Sequence, residues 1–312
     1  MKSAILSRRM QDRLAGRTFF ITALLPLVLL VLIIIALILR TWPILQIASL
    51  KDLLTGREWL PLQGKFGYYP FILGTVWVTA VAMVLALPAC LLSSIYLVEY
   101  AHAPTRAVMK PLVDLLSGIP SVVYGVWGIV AIVPWVQNSV APLFSRWLGH
   151  IPLFAVNNPT GFSVLSGGIV LAVMVAPLII AVTFEVMHAI PEGLREASLA
   201  IGATRWQTIK YVVLPRALPG IVAAVVLGFS RAFGETMAVL MVVGNVARVP
   251  TSIFDAAYPL TALIANNYGE MLSIPRYDAA LLGAALVLLI IVLLFNILSA
   301  LVLNQIIGRP VR

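Results

Sequence analysis

Six stretches of this chain are apolar for about 20 residues or more, at about 19–41, 70–98, 112–136, 163–185, 217–244 and 279–306. A helix crosses the hydrocarbon core of a bilayer in about 20 such residues. The pattern therefore predicts an all-α integral membrane protein with six transmembrane helices. Residues 1–18 read as a short N-terminal segment and 19–312 as one transmembrane domain, with a polar loop at 186–216 between the fourth and fifth spans. Pro88 interrupts the second span, and Gly118-Ile119-Pro120 breaks the third near its start. Membrane helices tolerate prolines because neighbours satisfy the freed backbone groups.

Composition agrees. Of 312 residues 61% are apolar and 11% charged, against roughly 25% charged in soluble domains. The net charge of +9 does not mark a nucleic-acid partner, because the charges fall in short clusters between apolar runs and form no single basic face. The partner they imply is the lipid bilayer. The one cysteine, Cys90, lies inside an apolar run, which excludes an intrachain disulfide and reads as a small buried residue. His102, His150 and His188 are scattered, so no metal site is expected.

The first run follows Lys2, Arg8, Arg9, Arg13 and Arg17 and superficially resembles a secretory leader. It is longer than the roughly 7–15 residues of a leader's apolar region and reads as a retained span. Lys and Arg are denser on the side of that N-terminus: Arg106 and Lys110 follow the second span, and Arg195, Arg205, Lys210 and Arg216 follow the fourth. Arg309 and Arg312 follow the sixth. The bias predicts both termini in the cytoplasm of a multi-pass inner (plasma) membrane protein. On the outer side, Ala256 to Ala265 is apolar enough for a short helix lying at the surface.

The loop has internal structure. Pro191 and Glu192 suit a helix start, and Gly202 suits the left-handed turn that ends one. Thr204 with Gln207 reads as a capping box for a second helix, and Pro215 separates that helix from the fifth span. Such a loop either packs on itself in solvent or presents a docking surface, with Trp206 as an aromatic anchor.

Glu196-Ala197-Ser198, three residues, Gly202, nine residues, then Val212-x-Leu214-Pro215 resembles the E-A-A, x3, G, x9, I-x-L-P motif of ABC importer permeases. Ser198 and Val212 replace the family's alanine and isoleucine, and the spacing is kept. Ser117 to Gly128, Gly228 to Asn245, Leu260 to Glu270 and Leu53 to Thr75 resemble phosphate importer permeases of the PstC type, so the likeness covers nearly the whole chain. It implies a type I (MetI-like) permease fold forming half of a phosphate pathway, with coupling helices that dock into an ATPase. The implied partners are a PstA-like sister permease, a PstB-like ATPase dimer and an extracytoplasmic PstS-like phosphate-binding protein. Sulfate and molybdate permeases share the loop motif, and another oxyanion is the alternative substrate.

The chain has no G-x-x-x-x-G-K-[ST] phosphate loop; its one Gly-Lys pair, Gly64-Lys65, lacks the upstream glycine. It is therefore expected to be a transport subunit and no enzyme, binding no cofactor itself, with ATP and magnesium on the partner. A secondary transporter would need its own ion site and paired repeats of broken helices, and neither is legible.

Within the fifth apolar run stands Phe229-SRAFGE-Thr236. If the run is one helix, Arg231 lies near its midpoint and Glu235 one turn further on the same face. A charge at that depth faces protein or a water-filled path. The two residues read as a self-neutralising structural pair, as a proton relay, or as an anion station in which the planar guanidinium meets phosphate oxygens. Ser117, Ser121 and Tyr124 fall at spacings of four and three and are expected on one face of the third span, lining a path. The competing role of that span is packing through Gly118, Gly125 and Gly128.

Overall fold

The computed structural model describes residues 2–269, 274 and 276–307. Glu270, Arg309 and Arg312, and the side chains of Lys2, Arg8, Arg9 and Arg13, lie outside the described set. Six helices are long and apolar enough to cross a membrane: Leu14–Leu45, Tyr69–Tyr100, Ser121–Leu148, Val164–His188, Arg205–Phe233 and Tyr277–Gln305, here spans 1 to 6. Spans 1, 2, 4 and 6 lie close to the apolar runs. The segment before span 1 is itself helical, so that Lys2–Leu45 is one helix.

Span 3 is displaced from the expected 112–136. A separate helix, Ala103–Ser117, fills the first part of that run and ends at Gly118. Pro120 is extended, with φ −58° and ψ 138°, and a proline ring also disfavours helical backbone in the residue before it. Span 3 restarts at Ser121 and continues past Trp135, because two wide π turns, Gly128–Ile132 and Val136–Val140, carry the helix through Pro134 and Pro142. In each, the amide just ahead of the proline bonds the carbonyl five residues back: Val133 to Gly128 and Ala141 to Val136. A widened turn makes room for a ring that would otherwise collide with the preceding turn.

Span 5 uses the same device. The π turn Ile209–Val213 precedes Pro215, with the Leu214 amide bonded to the Ile209 carbonyl. Pro215 therefore does not separate the loop from the span: the second loop helix runs straight into it. The far end is shorter than expected, since the helix stops at Phe233 with Gly234 as its cap, and a four-residue turn of helix follows at Met237–Leu240.

Spans 2 and 4 form the centre. Gly168 packs on Val81 and the backbone of Ala82, and Gly228 of span 5 meets Ile179; a side chain at either position would push the helices apart. Half of the apolar window of span 4 is buried inside the chain (50%), against 0% for spans 1 and 6. Gly125 and Gly128 of span 3 receive Ala238, Met241 and Val242, so these two glycines serve packing. Cys90 is buried.

The side opposite the 186–216 loop has its own core, where Trp59, Phe66, Tyr68, Phe71 and Tyr277 make edge and tilted ring contacts. The strands Trp59–Leu60 and Lys65–Phe66 form a small antiparallel hairpin there. The helix Leu260–Asn267 does not lie at the surface. Leu260, Thr261, Ala262 and Leu263 are buried, Leu260 and Leu263 within this second core, because the helix's apolar residues find spans 2 and 6 instead of solvent.

Candidate functional site

The loop folds as helix, glycine turn, helix. Glu192–Ala200 is the first helix, Gly202 turns with φ +89°, and Thr204 and Gln207 close a capping box. Ser198 is buried, and its hydroxyl meets that of Thr208 at 2.9 Å, which fastens the two helices together. Glu196 and Ala197 face outward, with Leu199, Ile201 and Trp206 exposed at 48%, 87% and 52%. Three large apolar side chains bare within a few residues form a surface that calls for a partner. Leu214 is half-buried and Pro215 exposed where the loop enters span 5.

Beneath this surface lies a cluster that reading the sequence missed. Arg195 donates from Nε and Nη2 to Glu99 Oε1 at 3.1 and 2.9 Å, from Nη1 to the Ile190 carbonyl at 2.6 Å, and from Nη2 to the Met187 carbonyl at 2.9 Å. The two side chains are only 17% and 6% exposed. Glu99 sits in the π turn Tyr96–Tyr100 that ends span 2. Arg106 caps that turn through the carbonyls of Leu97 and Val98, and Arg205 lies over the Tyr100 ring at 5.0 Å. One signal was available: a carboxylate at the end of an apolar run, on the side where the basic residues gather. The sequence could not say which of the six basic residues following the second and fourth spans would take it.

The deeper site is rebuilt by the structure. Arg231 stands in the last turn of the span 5 helix, where the unpaired carbonyl ends favour a cation. Glu235 lies beyond Gly234, off that helix; its backbone carbonyl accepts from the Thr261 hydroxyl at 2.9 Å. The two are not on one helical face, and among the described residues no ion pair joins them: the three present are Lys65–Glu58, Lys110–Glu185 and Arg195–Glu99. The glycine ends the helix between them. Nothing in the described chain hydrogen-bonds the Arg231 guanidinium, which is exposed on the chain's own surface. Its depth fits the membrane interior. The neighbouring Ser230 hydroxyl bonds Asn296 well inside span 6 at 2.8 Å, and 234–241 must still run before Val242 meets Ser163 at the far end of span 4.

Ser117, Ser121 and Tyr124 do not share a helix either. Ser117 ends the preceding helix and donates to the Asp114 carbonyl at 2.7 Å. Ser121 opens span 3 and is half-buried. The Tyr124 hydroxyl reaches back across the break to the Leu116 carbonyl at 2.9 Å. The structure thus places Ser121 and Tyr124 in span 3 and Arg231 in span 5. It leaves Ser117 outside the span.

A family model described as "Binding-protein-dependent transport system inner membrane component" matches residues 91–309. The chain belongs to this family. The match takes in the loop, the Glu99 cluster and Arg231. This permease is 35% identical to the phosphate transport system permease protein PstC of Mesorhizobium japonicum over 96% of its own length and 91% of the relative's. It is 32% identical to the protein of that name from Haemophilus influenzae over 94% and 93%. The solved structure of a bacterial ABC transporter that imports alginate superposes with a TM-score of 0.59 at 21% identity, covering 94% of this chain and 98% of that one. That likeness carries the all-α fold alone; the family and the PstC relatives make the chain an ABC importer permease subunit of the inner membrane, with ATP hydrolysis left to a separate subunit.

Proposed function

We propose that this permease imports inorganic phosphate as one half of a translocation pathway whose other half is a PstA-like sister chain. The observation that carries the reading is identity to phosphate permeases along nearly the entire chain. The coupling loop faces the cytoplasm with both termini. A PstB-like ATPase dimer, holding ATP and magnesium, docks on Glu196, Ala197, Leu199, Ile201 and Trp206. A PstS-like phosphate-binding protein docks on the opposite side, and ATP-driven closure of the ATPase moves the loop and opens the pathway toward it.

Arg231 is the anion station in this reading. A guanidinium with no hydrogen-bond partner among the described residues offers its fork of donors to phosphate oxygens. Its position at a helix C-terminus keeps the station weak, because the same carbonyl ends that favour the cation repel an anion, and conduction needs a site the ion can leave. Tyr124 and Ser121 supply neutral contacts from span 3. Glu235 accepts the hydrogen of a phosphate that still carries one, which distinguishes phosphate from a fully deprotonated oxyanion such as sulfate or molybdate.

The test is uptake of labelled phosphate by proteoliposomes holding all four kinds of subunit. Arg231→Gln is expected to abolish uptake in a complex that still assembles. Normal uptake by that variant would remove Arg231 from the pathway. Competition by sulfate as effective as by unlabelled phosphate would reassign the substrate.

A further inference from the structure

Docking at the loop accomplishes nothing unless motion passes from it into the spans. Two routes leave the loop. The second loop helix is covalently continuous with span 5, through the π turn at Ile209–Val213. The first, Glu192–Ala200, carries the outward-facing Glu196 and Ala197 and has no helical continuity with any span. Its polar attachment to the central spans is Arg195. The guanidinium satisfies the carbonyls of Met187 and Ile190, where span 4 ends and the chain leaves it, and takes Glu99 of span 2 with two donors. A helix end leaves its last carbonyls without partners, so Arg195 completes span 4 as well as bridging to span 2.

From these contacts we infer that Arg195 and Glu99 are positioning residues for coupling: they make the first loop helix one rigid body with spans 2 and 4, so that movement of the docked ATPase reaches the centre of the permease. The inference rests on the reading that the ATPase docks on 192–208. The chemistry suits a strut. A planar fork held at four acceptor contacts has one geometry, whereas a lysine would hold a single point charge. A pair this buried does not dissociate without leaving a charge stranded. The Ser198–Thr208 hydroxyl contact binds the two routes together, so spans 2 and 4 and span 5 receive one displacement.

The experiment uses the complete reconstituted complex and reads phosphate imported per ATP hydrolysed, with co-purification of the ATPase measured alongside. Glu99→Gln and Arg195→Gln are each expected to lower that ratio about tenfold with the ATPase still bound. The exchange Glu99→Arg with Arg195→Glu recovers part of it. An unchanged ratio in either single variant overturns the proposal. Should the glutamines prevent assembly, Glu99→Asp and Arg195→Lys keep the charges and disturb only the geometry; full coupling in both would overturn it equally. Trp206→Ala separates this result from the docking reading. If it leaves ATPase binding intact, the docking surface is wrong whatever the Glu99 variants do.

Discussion

Two regions of the permease hold arginines and treat them in opposite ways. At the loop end, Arg195 and Arg106 spend their donors on carbonyls and a carboxylate of the same chain. In span 5, Arg231 has no such partner among the described residues. A cation satisfied by its own chain is a structural part, costly to disturb and indifferent to solute. One left without donors engaged has its chemistry available for something that is not part of the chain. Position relative to the bilayer does not make this distinction, and neither does residue type. The count of engaged donors does.

The contrast can be broken or sharpened by variants. The largest stability effect is expected from Arg195→Ala, which strands Glu99 as a buried, unpaired carboxylate at a cost of about 3–5 kcal/mol. Thermal unfolding of the detergent-solubilised chain measures it, and Glu99→Gln on that background should recover much of the loss. Arg231→Gln is expected to reverse the pattern, with an unfolding midpoint close to the wild type and phosphate uptake lost. If it proves as destabilising as Arg195→Ala, the two regions are not different in kind.

Ser198→Ala comes next, at about 1–2 kcal/mol, because it leaves the buried Thr208 hydroxyl without its partner. Ser198→Ala with Thr208→Val should be milder than the single change, since neither hydroxyl then remains unsatisfied; a double-mutant cycle on unfolding tests this. Thr204→Ala removes the capping box and should cost about 1 kcal/mol, read as a lower midpoint. The smallest effect belongs to Lys110→Met. Its partner Glu185 at 2.6 Å is exposed, and the hydrogen bond and charge of that carboxylate raise the Lys110 pKa. The pair is screened by salt, and its loss should not move the unfolding midpoint measurably.

Much of this protein was legible in one dimension because lipid leaves the chain few choices. A run of about 20 apolar residues must satisfy its backbone internally and so becomes a helix, which fixed the number of spans. The loop was legible for a related reason. A left-handed glycine and a Thr-x-x-Gln capping box act within a few residues of themselves, and both formed as expected.

What failed to be legible involved competition between a local signal and its surroundings. Apolar character alone could not separate 112–117 from span 3, or end span 5 at Phe233, because hydropathy does not register where a glycine or an extended proline interrupts the hydrogen-bond ladder. Nor could it tell that Pro215 would be carried inside a helix by a π turn, a solution that depends on backbone geometry rather than composition. Pairing was the least legible. Arg231 and Glu235 have the spacing of a helical pair but the helix stops between them, while Arg195 and Glu99, 96 positions apart, are joined because spans 2 and 4 pack side by side. The sequence by itself determined which segments enter the membrane, since that depends on transfer of each segment from water. Only the tertiary structure decided which charges are spent on the fold and which remain free, since that depends on what packing brings within the reach of a hydrogen bond.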